Sequence, residues 1–245
     1  MRTRLVRRVV GQLLPVTACL SVSGVPASAA QYLSQCRDDA MLVFDASRSM
    51  TNVSNDSDGQ SRIDEARTAL RQVLPQVTPF RDIGLIVYGP GRQDACGHID
   101  LRLPPTPDAD ARIIAEVDRV IPDGDTPLTQ AVSRAAEVLE ERGGPGAIVL
   151  ITDGRETCGG APCQLAERLA QKGDRLVVHV IGFRTLVSSF EWQSFGDDAN
   201  RNTTFIARCL ADQTNGHYAS AQSTDDLVAA LQNILGCPIV SRASF

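Results

Sequence analysis

The chain has 245 residues, is 43% hydrophobic and 22% charged, and carries a formal net charge of −5. That length suits a single α/β domain burying roughly 70–75% of its unfolded surface, and the composition is that of an ordinary globular protein. The acidic balance disfavours nucleic acid as a partner, because phosphate binding needs a basic surface, and past the first thirty residues no run of 18 or more apolar residues could cross a membrane.

The first thirty residues read as a secretory signal peptide. Arg2, Arg4, Arg7 and Arg8 form a positive start, Val9 to Val25 is apolar, and Ala27-Ser28-Ala29 is an A-x-A cleavage site. Val16-Thr17-Ala18-Cys19 also resembles a bacterial lipobox, whose cysteine would carry a lipid anchor. The apolar run before Cys19 is short and contains Gln12, so the reading favours a soluble exported protein, periplasmic or secreted, with residues 31–245 as one domain. Without the four arginines that domain has a charge of about −9.

Strand-like and helix-like segments then alternate. Ala40–Phe44 is a short apolar run of the kind buried on both faces of a sheet. After a polar loop from Asp45 to Gln60, the spacing of Ile63, Ala66, Leu70 and Val73 predicts a helix over Ser61–Leu74. Ser61, with Asp64 three residues on, opens it and Pro75 closes it. Ile83–Tyr88 is a second strand, and the alternation in His98–Leu103 predicts a half-exposed edge strand. Asp108–Val120 is helical. Thr126 caps and Pro127 starts the next helix, which ends near Arg142 at Gly143-Gly144. Ala147–Ile151 is the most hydrophobic strand. A helix at Gln164–Gln171, a strand at Leu176–Phe183, a helix over roughly Thr204–Gln213, a short strand at Tyr218-Ala219 and a helix at Asp225–Leu235 follow. This order implies a doubly wound, mostly parallel six-stranded α/β sheet with one antiparallel edge strand and helices on both faces.

Six cysteines remain once Cys19 is set aside: Cys36, Cys96, Cys158, Cys163, Cys209 and Cys237. An even number in an exported chain points to disulfides, and six allow fifteen full pairings. Cys158 and Cys163 enclose only four residues of a Gly/Pro-rich loop and are expected to pair. Zinc is disfavoured, since the C-x-x-C spacing is missing and the only histidines are His98, His179 and His217.

Ligands of open parallel sheets sit outside the carboxyl ends of the strands, near the switch in strand order. Asp45-Ala46-Ser47-Arg48-Ser49 directly follows the first strand, Thr152-Asp153-Gly154 follows the most apolar one, and Thr126 stands at a helix start. Asp45, Ser47, Ser49, Thr126 and Asp153 together offer two carboxylates and three hydroxyls, with no sulfur or imidazole. Hard oxygen donors of this kind suit Mg²⁺, Mn²⁺ or Ca²⁺. Two carboxylates only just neutralise such an ion. Mg²⁺ also keeps exchangeable waters that the Asp or Glu of a partner can replace.

The pattern Asp45-x-Ser47-x-Ser49, Thr126 and Asp153 resembles the metal-ion-dependent adhesion site of von Willebrand factor type A domains, over about Asp38 to Leu235. The run from Thr152 to Cys163 looks most like a bacterial exported subgroup. The resemblance implies Ser47, Ser49 and Thr126 as direct ligands, and Asp45 and Asp153 as ligands directly or through water. One departure is Arg48, which stands where the family usually has glycine; it either points to solvent, where it would attract an acidic partner, or raises the cost of metal binding, since like charges repel over a few Å.

Other readings are weaker. Ser and Asp also favour helix-capping loops, but capping does not explain the company of Thr126 and Asp153. Ser47 or Ser49 as a hydrolase nucleophile lacks a nearby base and a G-x-S-x-G turn, and Asp45 as a phosphoryl acceptor lacks a phosphate-cradling loop. Ser54–Gly59 with Glu65 only partly matches a calcium loop, because serine occupies the first ligand position. His179 reads as a core residue, and Trp192 with Phe190 and Phe195 as cover for the local core. The function expected is binding rather than catalysis: an exported monomer engages an acidic protein ligand through the cation. A scaffold role in the cell envelope with a structural metal is the runner-up, and a metal-dependent hydrolase comes last.

Overall fold

The computed structural model describes residues 38–54, 57–91, 96–173, 175–185 and 205–236. The expectations for the signal peptide, the Cys19 anchor, Cys36, Cys237 and the aromatic run around Trp192 lie outside these residues.

Six strands, β1 (Asp39–Asp45), β2 (Ile83–Tyr88), β3 (Ile99–Thr106), β4 (Gly146–Thr152), β5 (Leu176–Phe183) and β6 (Tyr218–Ala221), form one sheet in the order β3-β2-β1-β4-β5-β6. Every neighbouring pair is parallel except β2 and β3. The helices are α1 (Arg62–Val77), α2 (Asp110–Arg119), α3 (Leu128–Arg142), α4 (Pro162–Gln171), α5 (Phe205–Gln213) and α6 (Thr224–Leu235). This is the doubly wound mixed sheet expected from the order of elements.

Side-chain alternation explains the two layers. Leu42 and Phe44 of β1 pack with Leu70 and Val73 of α1, Ile113 of α2 and Leu231 of α6. Met41 and Val43 face the other way, into Leu128 and Val132 of α3, Leu165 of α4 and Leu210 of α5. A strand covered on both faces has no solvent side to mark with polar residues, hence its unbroken apolar run. From β1 the chain moves outward to β2 and β3, then returns past β1 to β4. The switch in strand order therefore falls between β1 and β4, at whose carboxyl ends stand Asp45 and Thr152.

Several local expectations fail. Helix α1 runs through Pro75 to Val77. Pro75 and Arg71 are both exposed, so the Arg71 carbonyl that loses its donor can be hydrated, while Val77 is still buried in the core. Thr126 does not cap α3, which starts at Leu128 behind Pro127 with no side-chain cap from that position. The Ser61 hydroxyl, at the head of α1, donates to the Asp64 carboxylate at 2.5 Å rather than accepting a backbone amide. His179 is half-buried rather than a core residue; its Nδ1 accepts the His217 amide at 3.1 Å, and burial foremost lowers its pKa to about 4.

Cross-ties close the layers. Arg184, at the end of β5, grips Glu65 of α1 through Nε–Oε2 at 2.8 Å and Nη2–Oε1 at 2.7 Å. A disulfide, Cys163–Cys209, joins α4 to α5, and a second, Cys96–Cys158, joins the loop before β3 to the loop after β4. The expected Cys158–Cys163 pair is thus incorrect. Cys163 lies on α4, which packs against α5, while Cys158 lies in a loop folded toward the loop of Asp125. Nearness along the chain did not decide which sulfurs meet.

Candidate metal site

Four of the five predicted residues form one hydrogen-bonded cluster. Asp45 ends β1 fully buried; its Oδ1 accepts the Ser47 amide at 2.8 Å and its Oδ2 accepts the Thr152 hydroxyl at 2.7 Å. Ser47 Oγ lies 3.1 Å from Ser49 Oγ, which donates to Asp153 Oδ1 at 2.6 Å. A short 3-10 turn, Arg48–Thr51, brings Ser49 back over the end of the sheet. Thr126, also buried, stands beside them: a Cβ on Gly154 would lie 3.7 Å from Ser49 Oγ and 4.0 Å from Thr126 Oγ1.

Close backbone packing sets these positions. Gly89, in the left-handed region at φ +77°, leaves room that a side chain would fill, since a Cβ there would lie 2.7 Å from the Asp125 carbonyl and 2.9 Å from the Ser47 amide. The Gly124 amide donates to Gly89 O at 2.8 Å, and Gly124 O accepts the Arg48 amide at 2.9 Å. The Thr126 amide donates to Thr157 Oγ1 at 2.8 Å, and the Thr157 amide returns a bond to Thr126 O at 3.1 Å. Glu156 supplies the cap that Thr126 does not: its Oε2 accepts the Thr129 amide and hydroxyl, both at 2.7 Å, at the first turn of α3. The Cys96–Cys158 bridge fastens this arrangement, since Cys158 follows Thr157 and Cys96 Sγ is 4.0 Å from an Asp125 oxygen.

This bridge yields a measurable expectation. The double variant Cys96→Ser/Cys158→Ser should lose about 2–4 kcal/mol of stability, read as a melting temperature lower by roughly 5–15 °C. A melting point within about 1 °C of the parent would show that the hydrogen bonds hold the loops unaided.

Charge concentrates at the site. Burial, and next the charge of Asp153, hold the Asp45 carboxyl well above the usual carboxylate range. The Asp45 and Asp153 carboxylates, with hydroxyls and no nitrogen or sulfur ligand between them, fit a hard divalent cation, which would favour the ionised form of Asp45. Both sulfurs of the nearby Cys96, Asp125, Cys158 group are engaged in the disulfide. Arg62 was not foreseen at the site, whereas Arg48 takes the solvent-facing one of its two expected placements. Arg62, the first residue of α1, donates from Nη1 to Asp153 Oδ2 at 2.7 Å, with the carboxylate side chain fully covered. Arg48 turns away from the acids: it is 72% exposed and donates from Nη2 to Asp123 O at 3.0 Å. Thr152 and Tyr88 also escaped notice; Tyr88 ends β2 beside Asp45, and burial raises its hydroxyl pKa. Thr152 had a signal in the Thr-Asp-Gly run, whereas Arg62, ninety-one positions from Asp153, had none.

The chain is similar to known proteins along most of its length. It is 25% identical over 205 residues to the uncharacterized protein YwmD of Bacillus subtilis (strain 168), covering 80% of this chain and 84% of that protein. Its fold is similar to proximal thread matrix protein 1 from the mussel byssus, solved with a zinc-occupied MIDAS motif (TM-score 0.56, 16% identity, 82% of this chain). The chain spans 46% of that mussel protein's length. It is similar also to the manganese-loaded TRAP protein of Plasmodium vivax (TM-score 0.53, 17% identity, 82% of this chain and 74% of that one). Residues 40–156 match the von Willebrand factor type A domain, and the sheet order is in keeping with that match.

Proposed function

We propose that this domain holds Mg²⁺ or Mn²⁺ on Asp45, Ser47, Ser49, Thr126 and Asp153 and uses the ion to bind an acidic group, Asp or Glu, of a protein partner. The observation that carries the reading is the convergence of Asp45, Ser47, Ser49 and Asp153 from two strand ends into one cluster, with Thr126 beside it. The bound ion would supply a positive centre that accepts a partner's carboxylate. This chain's own residues preset the site: Thr152 orients Asp45, Ser49 orients Asp153, and Thr157 anchors the Thr126 loop. We read the protein as an exported binding module and not an enzyme. Two disulfides suit an oxidising compartment, and no helix of the described residues is long and apolar enough to cross a membrane.

The test is capture of acidic peptides. Immobilised protein in Mg²⁺ should retain peptides bearing Asp or Glu, release them into chelator, and fail to retain them as Ser49→Ala with the circular dichroism spectrum unchanged. Retention indifferent to chelator, or metal-dependent turnover of a phosphoester panel, would rule the reading out.

A further inference from the structure

We propose that a cavity at the carboxyl ends of β4 and β5, beside Asp153 and reached by Tyr218 from the start of β6, is a subsite for a second carboxylate of the same acidic partner. The inference rests on the cation-mediated binding set out above. The cavity has a volume of about 240 Å³ and is walled by Arg62, Gly154, Arg155, Thr185 and Tyr218, with Gly182 among its lining residues. It shares Asp153 with the candidate metal site, so one ligand can reach both.

The wall is rich in hydrogen-bond donors. Arg62 spends Nη1 on Asp153, but its Nε–H is buried with no hydrogen-bond partner among the described residues. The Thr185 hydroxyl is buried and likewise without one. The Tyr218 and Thr185 hydroxyls converge over Gly182: a Cβ at that position would lie 2.6 Å from the first and 3.1 Å from the second. Gln222 holds the Thr185 backbone in place, with Nε2 donating to its carbonyl at 3.2 Å. A buried polar group left without a partner is costly, because its lost hydration is not replaced. An acceptor entering the cavity therefore satisfies donors that the fold leaves waiting.

Charge selects the acceptor. Arg62 is neutralised by Asp153, and Arg184, also on the wall, by Glu65. Arg155 is exposed and faces no acidic partner among the described residues. Once a cation takes up the charge of Asp45 and Asp153, Arg62 joins Arg155 as uncompensated positive charge on the wall, which favours an anionic acceptor such as a carboxylate of the acidic partner. A partner with two acidic side chains close in sequence would place one on the cation and the other here.

Fluorescence anisotropy of the full chain in excess Mg²⁺ tests this. The probes are peptides with one Asp, peptides with an added Glu at each of several short spacings, and a control of equal charge with the Glu far from the Asp. At least one short spacing should bind about tenfold tighter than the control, a gain of about 1.4 kcal/mol. In Arg155→Gln and in Thr185→Val, each checked by circular dichroism, the ratio should fall toward one. The subsite is overturned if no spacing exceeds the control by more than about twofold, or if the gain survives both substitutions. A chelator arm separates the two claims. If single-acid binding ignores chelator, the cation reading fails while the ratio still reports on the cavity; if chelator abolishes single-acid binding and no ratio appears, only the subsite fails. If no peptide binds in Mg²⁺, both fall.

Discussion

Replacing Arg62 with glutamine should destabilise the metal-free protein and, at the same time, tighten its hold on divalent cations by about tenfold or more. Arg62 covers one oxygen of a fully buried carboxylate at 2.7 Å. Stripping one partner from a buried ion pair costs about 3–5 kcal/mol, less where the new side chain can still donate, so a loss of about 3 kcal/mol, on the order of 10 °C in melting temperature, is expected. The opposite effect on metal affinity follows from Coulomb's law. At an effective dielectric of about 20, two like unit charges about 6 Å apart repel by roughly 3 kcal/mol. A divalent ion at Asp153 and the guanidinium therefore compete for the same negative charge, and removing one favours the other. Titration calorimetry with Mn²⁺ checks this. Weaker binding in the variant would mean that Arg62 helps to hold the ion's ligands in place.

The Glu65→Ala variant should show a large loss of stability, about 3–5 kcal/mol, or roughly 10–20 °C. Glu65 and Arg184 are 3% and 7% exposed at their side chains, and the carboxylate accepts the Thr224 hydroxyl as well, at 3.2 Å. One acid thus links α1, the end of β5 and the start of α6. Without it the arginine's charge stays in a dry place where its main counter-ion has gone. The paired variant Glu65→Met/Arg184→Met should cost clearly less than Glu65→Ala, because apolar replacements leave no charge buried. Chemical denaturation of all three measures the difference. A Glu65→Ala loss below about 1 kcal/mol would show that water reaches Arg184 and the pair is only a surface contact.

The strands and the four clustered oxygens were legible because each is encoded locally. An unbroken apolar run followed at once by Asp45-x-Ser47-x-Ser49, and another followed by Thr152-Asp153, place donors at the carboxyl ends of two central strands, and chain order puts those strands side by side. What escaped the sequence is what depends on contacts between distant segments. Cys158 meets Cys96, sixty-two positions away, and Cys163 meets Cys209, forty-six positions away, because helix and loop packing sets the partners. Arg62 reaches Asp153 from the first turn of α1, and nothing around it distinguishes it from any surface arginine. Pro75 misled for a different reason: it reads as a helix stop, yet an exposed last turn tolerates the missing amide. Thr126 has the right type for a cap but spends its backbone on Thr157, and Glu156 takes over the cap.

The most direct measurement is a thermal-shift titration of the parent and Asp153→Ala with Mg²⁺ and Mn²⁺. Binding confined to the folded state stabilises by about 2.7 kcal/mol at a hundredfold excess over Kd, so the parent's melting temperature should rise saturably by roughly 5–10 °C while the variant's stays flat. A parent that ignores both ions up to millimolar concentration, or a variant that responds as the parent does, would contradict the assignment of these oxygens to a cation.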